Sequence, residues 1–191
     1  MVRSILLVGV GGQGTLLASK ILTTGLMQAG YDVKMSEIHG MSQRGGSVSS
    51  QVRYGDKVES PVIEIGGADI LVSFEKMEAL RWLPYLNPKG KAVVNDFELP
   101  SAPILAGKSL YPKGVLDELR SKVAATVVDA AGIAKRLGNA RSMNLVLFGA
   151  LVAGMGLADI DWETVISENV KKETVEINLK AFREGMAQAR G

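Results

Sequence analysis

Ser4-Ile5-Leu6-Leu7-Val8-Gly9-Val10-Gly11-Gly12-Gln13-Gly14-Thr15-Leu16-Leu17-Ala18 is the stretch that decides the fold. Ile5 to Val8 is a short continuous apolar run, which predicts a strand buried on both faces. Glycines then crowd the next six residues, and from Thr15 to Ala29 the residues Leu17, Ala18, Ile21, Leu22 and Gly25 fall on one helical face. Ala29-Gly30 stops that helix and Tyr31 to Ser36 predicts a second strand. Strand, glycine turn, helix and strand make the βαβ opening of a Rossmann-like α/β protein.

The turn Gly9-Val10-Gly11-Gly12-Gln13-Gly14 fits the pattern G-x-G-x-x-G in the context its mechanism needs, between a buried strand and a helix N-terminus. Backbone N–H groups and the positive end of the helix dipole favour an anion there, typically a phosphate. The same glycines also serve a tight turn and close helix-to-strand packing without any ligand. No Lys follows Gly14, so a Walker A loop is excluded. Glu37, 23 residues after Gly14, stands about where a ribose-binding carboxylate would close a dinucleotide site, which keeps an NAD(P)-dependent oxidoreductase open as an alternative.

Beyond the second strand, Glu37 to Gly46 has neither helical nor strand periodicity and reads as a loop of about ten residues, a length often tied to function. It gathers the only histidine, His39, with Gln43, Arg44 and Gly45, directly past the carboxyl end of a strand. His39 has no acid or base partner visible in the sequence, so no proton-transfer role is assigned to it. Val48, Ser50, Val52 and Tyr54 alternate with Ser47, Ser49, Gln51 and Arg53 as a strand, and Gly55-Asp56 suits a hairpin turn, so an antiparallel piece joins the sheet. Further strands are expected at Ala68–Phe74, Ala92–Asn95 and Ala124–Val128, with a helix over Glu75–Leu86. Leu99 to Gly114 holds three of the six prolines and reads as a connection with an edge strand.

After Val128 the pattern is helical: Ala130–Leu137, Met143–Met155, Trp162–Val170, and a last helix with Val175, Leu179, Phe182, Met186 and Ala189 along one stripe. No repeat or linker divides the chain. The expected architecture is one domain over residues 1–191, an α/β three-layer sandwich with a mostly parallel sheet, one antiparallel hairpin and a helical C-terminal third.

Composition narrows the function. Twenty-two Lys and Arg face 20 Asp and Glu, giving +2 with the signs interspersed, so no nucleic-acid partner is implied. The absence of cysteine removes disulfides, thiolate zinc sites and any iron–sulfur cluster ligated by this chain, and one histidine is too few for a His-built metal site. Leu145 to Ala158, the longest apolar run, is 14 residues, short of the roughly 20 that span a bilayer. It reads as a buried helix, with Asn144 as a buried amide in need of partners. No membrane segment or export signal is recognised, and a cytoplasmic protein is expected.

Gly-Val-Gly-Gly-Gln-Gly at 9–14, followed by Glu-Ile-His-Gly-Met-Ser-Gln-Arg-Gly-Gly-Ser-Val at 37–48, resembles the gamma-type subunit of 2-oxoacid:ferredoxin oxidoreductases, nearest the form that indolepyruvate oxidoreductases carry as a separate beta subunit. The likeness covers essentially all 191 residues. It implies a complex that decarboxylates a 2-oxoacid on thiamine diphosphate, passes electrons through iron–sulfur clusters to ferredoxin and yields an acyl-CoA. This chain lacks the family's Gly-Asp-Gly…Asn-Asn thiamine and magnesium pattern, so thiamine diphosphate, Mg and the clusters belong to alpha-type partner subunits. The resemblance further implies that gamma-type domains help form the CoA-side wall, which assigns to it Gly11, Gly12, Gln13 and Gly14 with Gln43, Arg44 and Gly45. No cofactor is expected on the isolated chain, and it is expected to self-associate when purified alone. A purely structural assembly module is the remaining alternative.

Overall fold

The computed structural model of the chain describes residues 1–39 and 46–189. Six strands form one sheet in the order β2-β3-β1-β4-β5-β6: β1 Arg3–Val10, β2 Asp32–His39, β3 Ser47–Gly55, β4 Ala68–Ser73, β5 Leu86–Asn95 and β6 Ala124–Val128. β1, β4, β5 and β6 pair in parallel, and β3 runs against both of its neighbours. The antiparallel piece of the sheet is β3, but the hairpin expected at Gly55-Asp56 is not formed. Residues 57–67 form no strand.

β3 also alters the βαβ opening. β2 is parallel to β1 but not beside it, because β3 is inserted between them and pairs Val10 with Ser47 and His39 with Val48. Periodicity marks β3 as a strand without revealing its neighbours, since pairing is a long-range choice.

Eight α-helices cover the sheet: α1 Thr15–Gln28, α2 Lys76–Trp82, α3 Ala102–Leu105, α4 Val115–Lys122, α5 Ala130–Arg136, α6 Met143–Met155, α7 Trp162–Asn169 and α8 Val175–Gln188. On one face α1, α5, α6, α7 and α8 enclose the larger core, where Ile5, Leu7, Val72 and Val93 meet Ile21, Leu22, Leu147 and Phe148. On the other face α2 and α4 place Ala79 and Leu119 against Leu6, Val8, Leu71 and Val94. Both faces of β1 are thus dry, as its unbroken apolar run requires.

Several expectations need correction: β2 runs on to His39, where the sequence predicts a loop from Glu37. The helix after β4 ends at Trp82, a 3-10 turn at Leu83–Tyr85 follows it, and β5 then starts at Leu86, where sequence placed Ala92. The 99–114 connection contains the short α3 and no edge strand, and α4, with Glu118 and Lys122 one turn apart, went unpredicted. On α8 the fully buried residues are Asn178, Ala181, Phe182 and Gly185, while Leu179, Met186 and Ala189 pack at the margin of the same core. The chain's own α6 covers that stripe. A Cβ on Gly149 or Gly185 would overlap the Phe182 or Val146 carbonyl oxygen, so the two helices meet backbone to backbone. α6 is apolar all round and buried from Asn144 to Val152. No described helix is long and apolar enough to cross a membrane.

Candidate functional site

The chain leaves β1 through α1 toward β2 and β3, and later returns to β4 on the opposite side of β1. This makes the carboxyl ends of β1 and β4 the switch point, where open α/β sheets form their crevice. The glycine turn lies there, together with the start of β3 and the segment after β4. Of the expected wall residues, Gly11, Gly12, Gln13 and Gly14 are brought to this edge; Gln43, Arg44 and Gly45 lie outside the described residues.

Each residue of the turn has a distinct physical task. Gly11 N–H donates to the Gly46 carbonyl at 2.9 Å, which ties the turn to the residue just before β3. Gly12 has φ 99° with open space where a side chain would be, so its backbone can be approached closely. Gly14, at φ 83°, is the N-cap of α1 and has no side chain with which to cap it. A Cβ on Gly14 would stand 2.6 Å from Asn144 Nδ2. Asn144, flagged in the sequence as a buried amide, turns its Oδ1 to Leu145 N–H at 3.0 Å, and its Nδ2 reaches toward the Gly14 carbonyl at 3.4 Å.

Gln13 differs from its neighbours. Its side chain is buried; Oε1 accepts from Val10 N–H at 2.8 Å, and Nε2 donates to the Phe74 carbonyl at 3.0 Å. The Phe74 carbonyl also receives Asn95 Nδ2 at 3.2 Å, and Asn95 Oδ1 accepts from Ala130 N–H at 3.1 Å. The ends of β1, β4 and β5 and the start of α5 are thereby stitched together.

Two carboxylates that sequence reading passed over lie beside this seam. Glu75 is fully buried and caps α2: its carboxylate accepts from Glu78 N–H at 2.9 Å, Leu99 N–H at 3.3 Å and the Tyr111 hydroxyl. Burial, then the bond to Glu75, pushes the Tyr111 phenol well above its usual range. Glu78, 2% exposed, accepts from Arg81 Nε at 2.9 Å, the Ser47 hydroxyl and, at 3.3 Å, the Trp82 indole. Lys76 bridges Asp96 at 3.1 Å and Glu98 at 2.8 Å. The signal for Glu75 is the carboxylate just before the helix, an N-cap by position; its third residue, Glu78, supplies the capped N–H.

The dinucleotide reading loses its acidic residue. Glu37 pairs with Ser50 on the far side of β3, which separates it from the glycine turn by a whole strand, and its carboxylate accepts from Ser19 Oγ at 3.0 Å. What the edge offers chemically is an anion-friendly turn with an uncapped helix behind it and an open approach over Gly12.

Comparison with known proteins agrees with this geometry. Residues 4–188 match the family described as pyruvate ferredoxin/flavodoxin oxidoreductase. Indolepyruvate oxidoreductase subunit IorB of Thermococcus kodakarensis is 37% identical over 98% of this chain and 96% of its own length. A keto/oxoacid ferredoxin oxidoreductase gamma subunit from Geobacter sulfurreducens has the same fold, with TM-score 0.73, 24% identity and 98% of each chain covered. So has 2-oxoglutarate:ferredoxin oxidoreductase from Magnetococcus marinus, solved with 2-oxoglutarate, coenzyme A and succinyl-CoA bound; its TM-score is 0.74 at 22% identity, with 99% of this chain covering 31% of that one. A six-stranded sheet with β3 reversed, a glycine turn at its switch point and a family match across nearly the whole length lead to one assignment: the chain belongs to the pyruvate ferredoxin/flavodoxin oxidoreductase family.

Proposed function

We propose that this chain is a non-redox subunit of a 2-oxoacid:ferredoxin oxidoreductase, of the indolepyruvate type, and that its carboxyl edge forms the CoA side of the active site. Full-length similarity to a subunit named for indolepyruvate oxidoreductase carries the reading. The absence of cysteine supports it: a cluster needs ligands this chain does not have, so electron transfer belongs to partner subunits. In the Magnetococcus marinus protein the comparable unit is about a third of a longer chain, which supports a unit that works joined to others.

In this reading larger, alpha-type subunits carry thiamine diphosphate, Mg and the iron–sulfur clusters, and ferredoxin takes the electrons. Thiamine diphosphate there supplies the carbanion chemistry of decarboxylation. This chain's own residues bind and orient. The N-terminus of α1, where Gly14 supplies no side-chain cap, favours the CoA phosphates, and the opening over Gly12 gives them room. Arg44, assigned to the same wall with Gln43 and Gly45, carries a guanidinium suited to bidentate phosphate contact.

The test is the Michaelis constant for CoA in the reconstituted complex, with the oxoacid constant as control. Arg44→Ala is expected to weaken CoA by about 1 to 3 kcal/mol, the range for a hydrogen bond to a charged group, while CoA-independent decarboxylation stays nearly intact. Unchanged CoA dependence in both Arg44→Ala and Gly12→Val would leave the subunit as an assembly module.

A further inference from the structure

Gln13 lies in the middle of the turn that faces the crevice, yet its carboxamide points into the protein. It is 8% exposed, and both of its ends are bonded to backbone, Oε1 to Val10 N–H and Nε2 to the Phe74 carbonyl. The side chain lies over Gly9: a Cβ on that residue would stand 2.9 Å from Gln13 Oε1 and 2.9 Å from Phe74 Cβ. The first glycine of the motif is therefore small to admit the glutamine of the same motif. The side chain occupies the switch-point crevice between β1 and β4, where dinucleotide-binding sheets of this class seat a ligand.

We infer that Gln13 is the positioning residue of the glycine turn: by bridging Val10 and Phe74 it fixes the course of the turn into the N-terminus of α1 and shuts the β1–β4 crevice, leaving the approach over Gly12 as the anion's route. The inference rests on the proposal that the turn lines the CoA path, and deepens it. Three observations support it. Gln13 N–H is itself turned back to the Val10 carbonyl at 3.2 Å, so backbone and side chain both anchor this residue to β1. The Phe74 carbonyl takes a second amide from Asn95, so its acceptor capacity is filled and the bridge has a rigid far end. Gly12, next to the anchored residue, has open space where a side chain would stand.

The bridge needs a donor at one end and an acceptor at the other. A glutamine has both; a leucine of similar size has neither; an ionised glutamate has two acceptors, one of which would face the Phe74 carbonyl with no proton between them. A protonated glutamic acid restores the pattern, its O–H donating to Phe74 and its C=O accepting from Val10. Burial favours that neutral form by raising the carboxyl pKa.

The experiment uses the reconstituted complex with Gln13→Leu, Gln13→Glu and Arg44→Ala, measuring the CoA and oxoacid Michaelis constants from about pH 5.5 to 8, the range a buried carboxyl can enter. Gln13→Leu is expected to raise the CoA constant about tenfold or more, the equivalent of one lost buried hydrogen bond, with the oxoacid constant within about twofold. Gln13→Glu is expected to show that defect at the alkaline end and to return toward wild type as the pH falls, while wild type keeps no such trend. If Gln13→Leu does not assemble, Gln13→Glu carries the test, because its neutral form keeps both bonds. A defect in Gln13→Glu that does not ease on acidification overturns the positioning role. So does a CoA constant unchanged in the Gln13 variants while Arg44→Ala raises it, and the CoA wall itself then stands. If none of the three variants moves the CoA constant, the proposed function falls together with this inference.

Discussion

A side chain on Gly185 has nowhere to go: its first carbon would overlap the carbonyl oxygen of Val146, which belongs to the facing helix α6. That contact sets how closely α8 seats on the core, and it involves backbone on both sides, so neither helix can yield by changing a rotamer. Gly185→Ala is expected to destabilise the chain by about 1 to 3 kcal/mol or more, the range for overpacking a tight core. Denaturant unfolding of the purified chain measures it; a midpoint equal to wild type would mean that α8 moves aside without cost.

Asn95→Leu removes the amide that serves Phe74 and Ala130 together. The Ala130 N–H is left buried without that acceptor, at about 1 to 3 kcal/mol. The expected result is a lower unfolding midpoint with an unchanged far-ultraviolet spectrum. The same loss should appear in Asn95→Ala, which tests whether side-chain volume rather than hydrogen bonding is responsible.

Tyr111 fastens the 99–114 connection to the buried Glu75 carboxylate. Its phenol titrates above the usual range because burial, and then the bond to Glu75, favour the neutral form. The raised pKa contributes stability that is fully present below about pH 10, where the free phenol ionises, and is lost as pH rises beyond that. Tyr111→Phe is expected to lower stability at neutral pH and to flatten the alkaline decline. Tyrosinate absorbance followed through an alkaline titration should show one fewer late-ionising phenol in the variant. An identical titration in the two proteins would contradict the assignment.

NADH is expected to produce no thermal shift in the isolated chain. β3 separates the Glu37 strand from β1, and the Glu37 carboxylate that a ribose would need already accepts from Ser19 Oγ. A saturable stabilisation by NADH would restore the dinucleotide reading.

The isolated subunit is expected to self-associate at micromolar concentration. The α8 stripe gives no reason for it, being covered by α6, but Ile65, Leu105 and Leu110 stay 74%, 76% and 91% exposed. Sedimentation velocity that returns only monomer would count against it.

What the sequence by itself determined is whatever short-range pattern encodes. The unbroken run Ile5–Val8 required a strand with two dry faces, the glycines placed a turn at its end, and Leu17 to Gly25 wrote a helix after it; all three are found where periodicity put them. The absence of cysteine excluded a cluster on this chain with no structure needed. Asn144 was legible as a buried amide because one polar residue in an apolar helix must find partners. Only the tertiary structure decided the rest. β3 has the alternation of a strand, but nothing within nine residues says that it will separate β1 from β2, because strand neighbours are chosen by contacts distant in sequence. Gln13 read as a wall residue through the family resemblance; the carbonyl its amide donates to, that of Phe74, lies 61 residues away. Glu75 and Glu78 stand out in no local pattern, and they are buried acceptors because Tyr111 and Ser47 arrive from other parts of the chain. A carboxylate's solvation is settled by what the fold brings to it, and no local spacing carries that information.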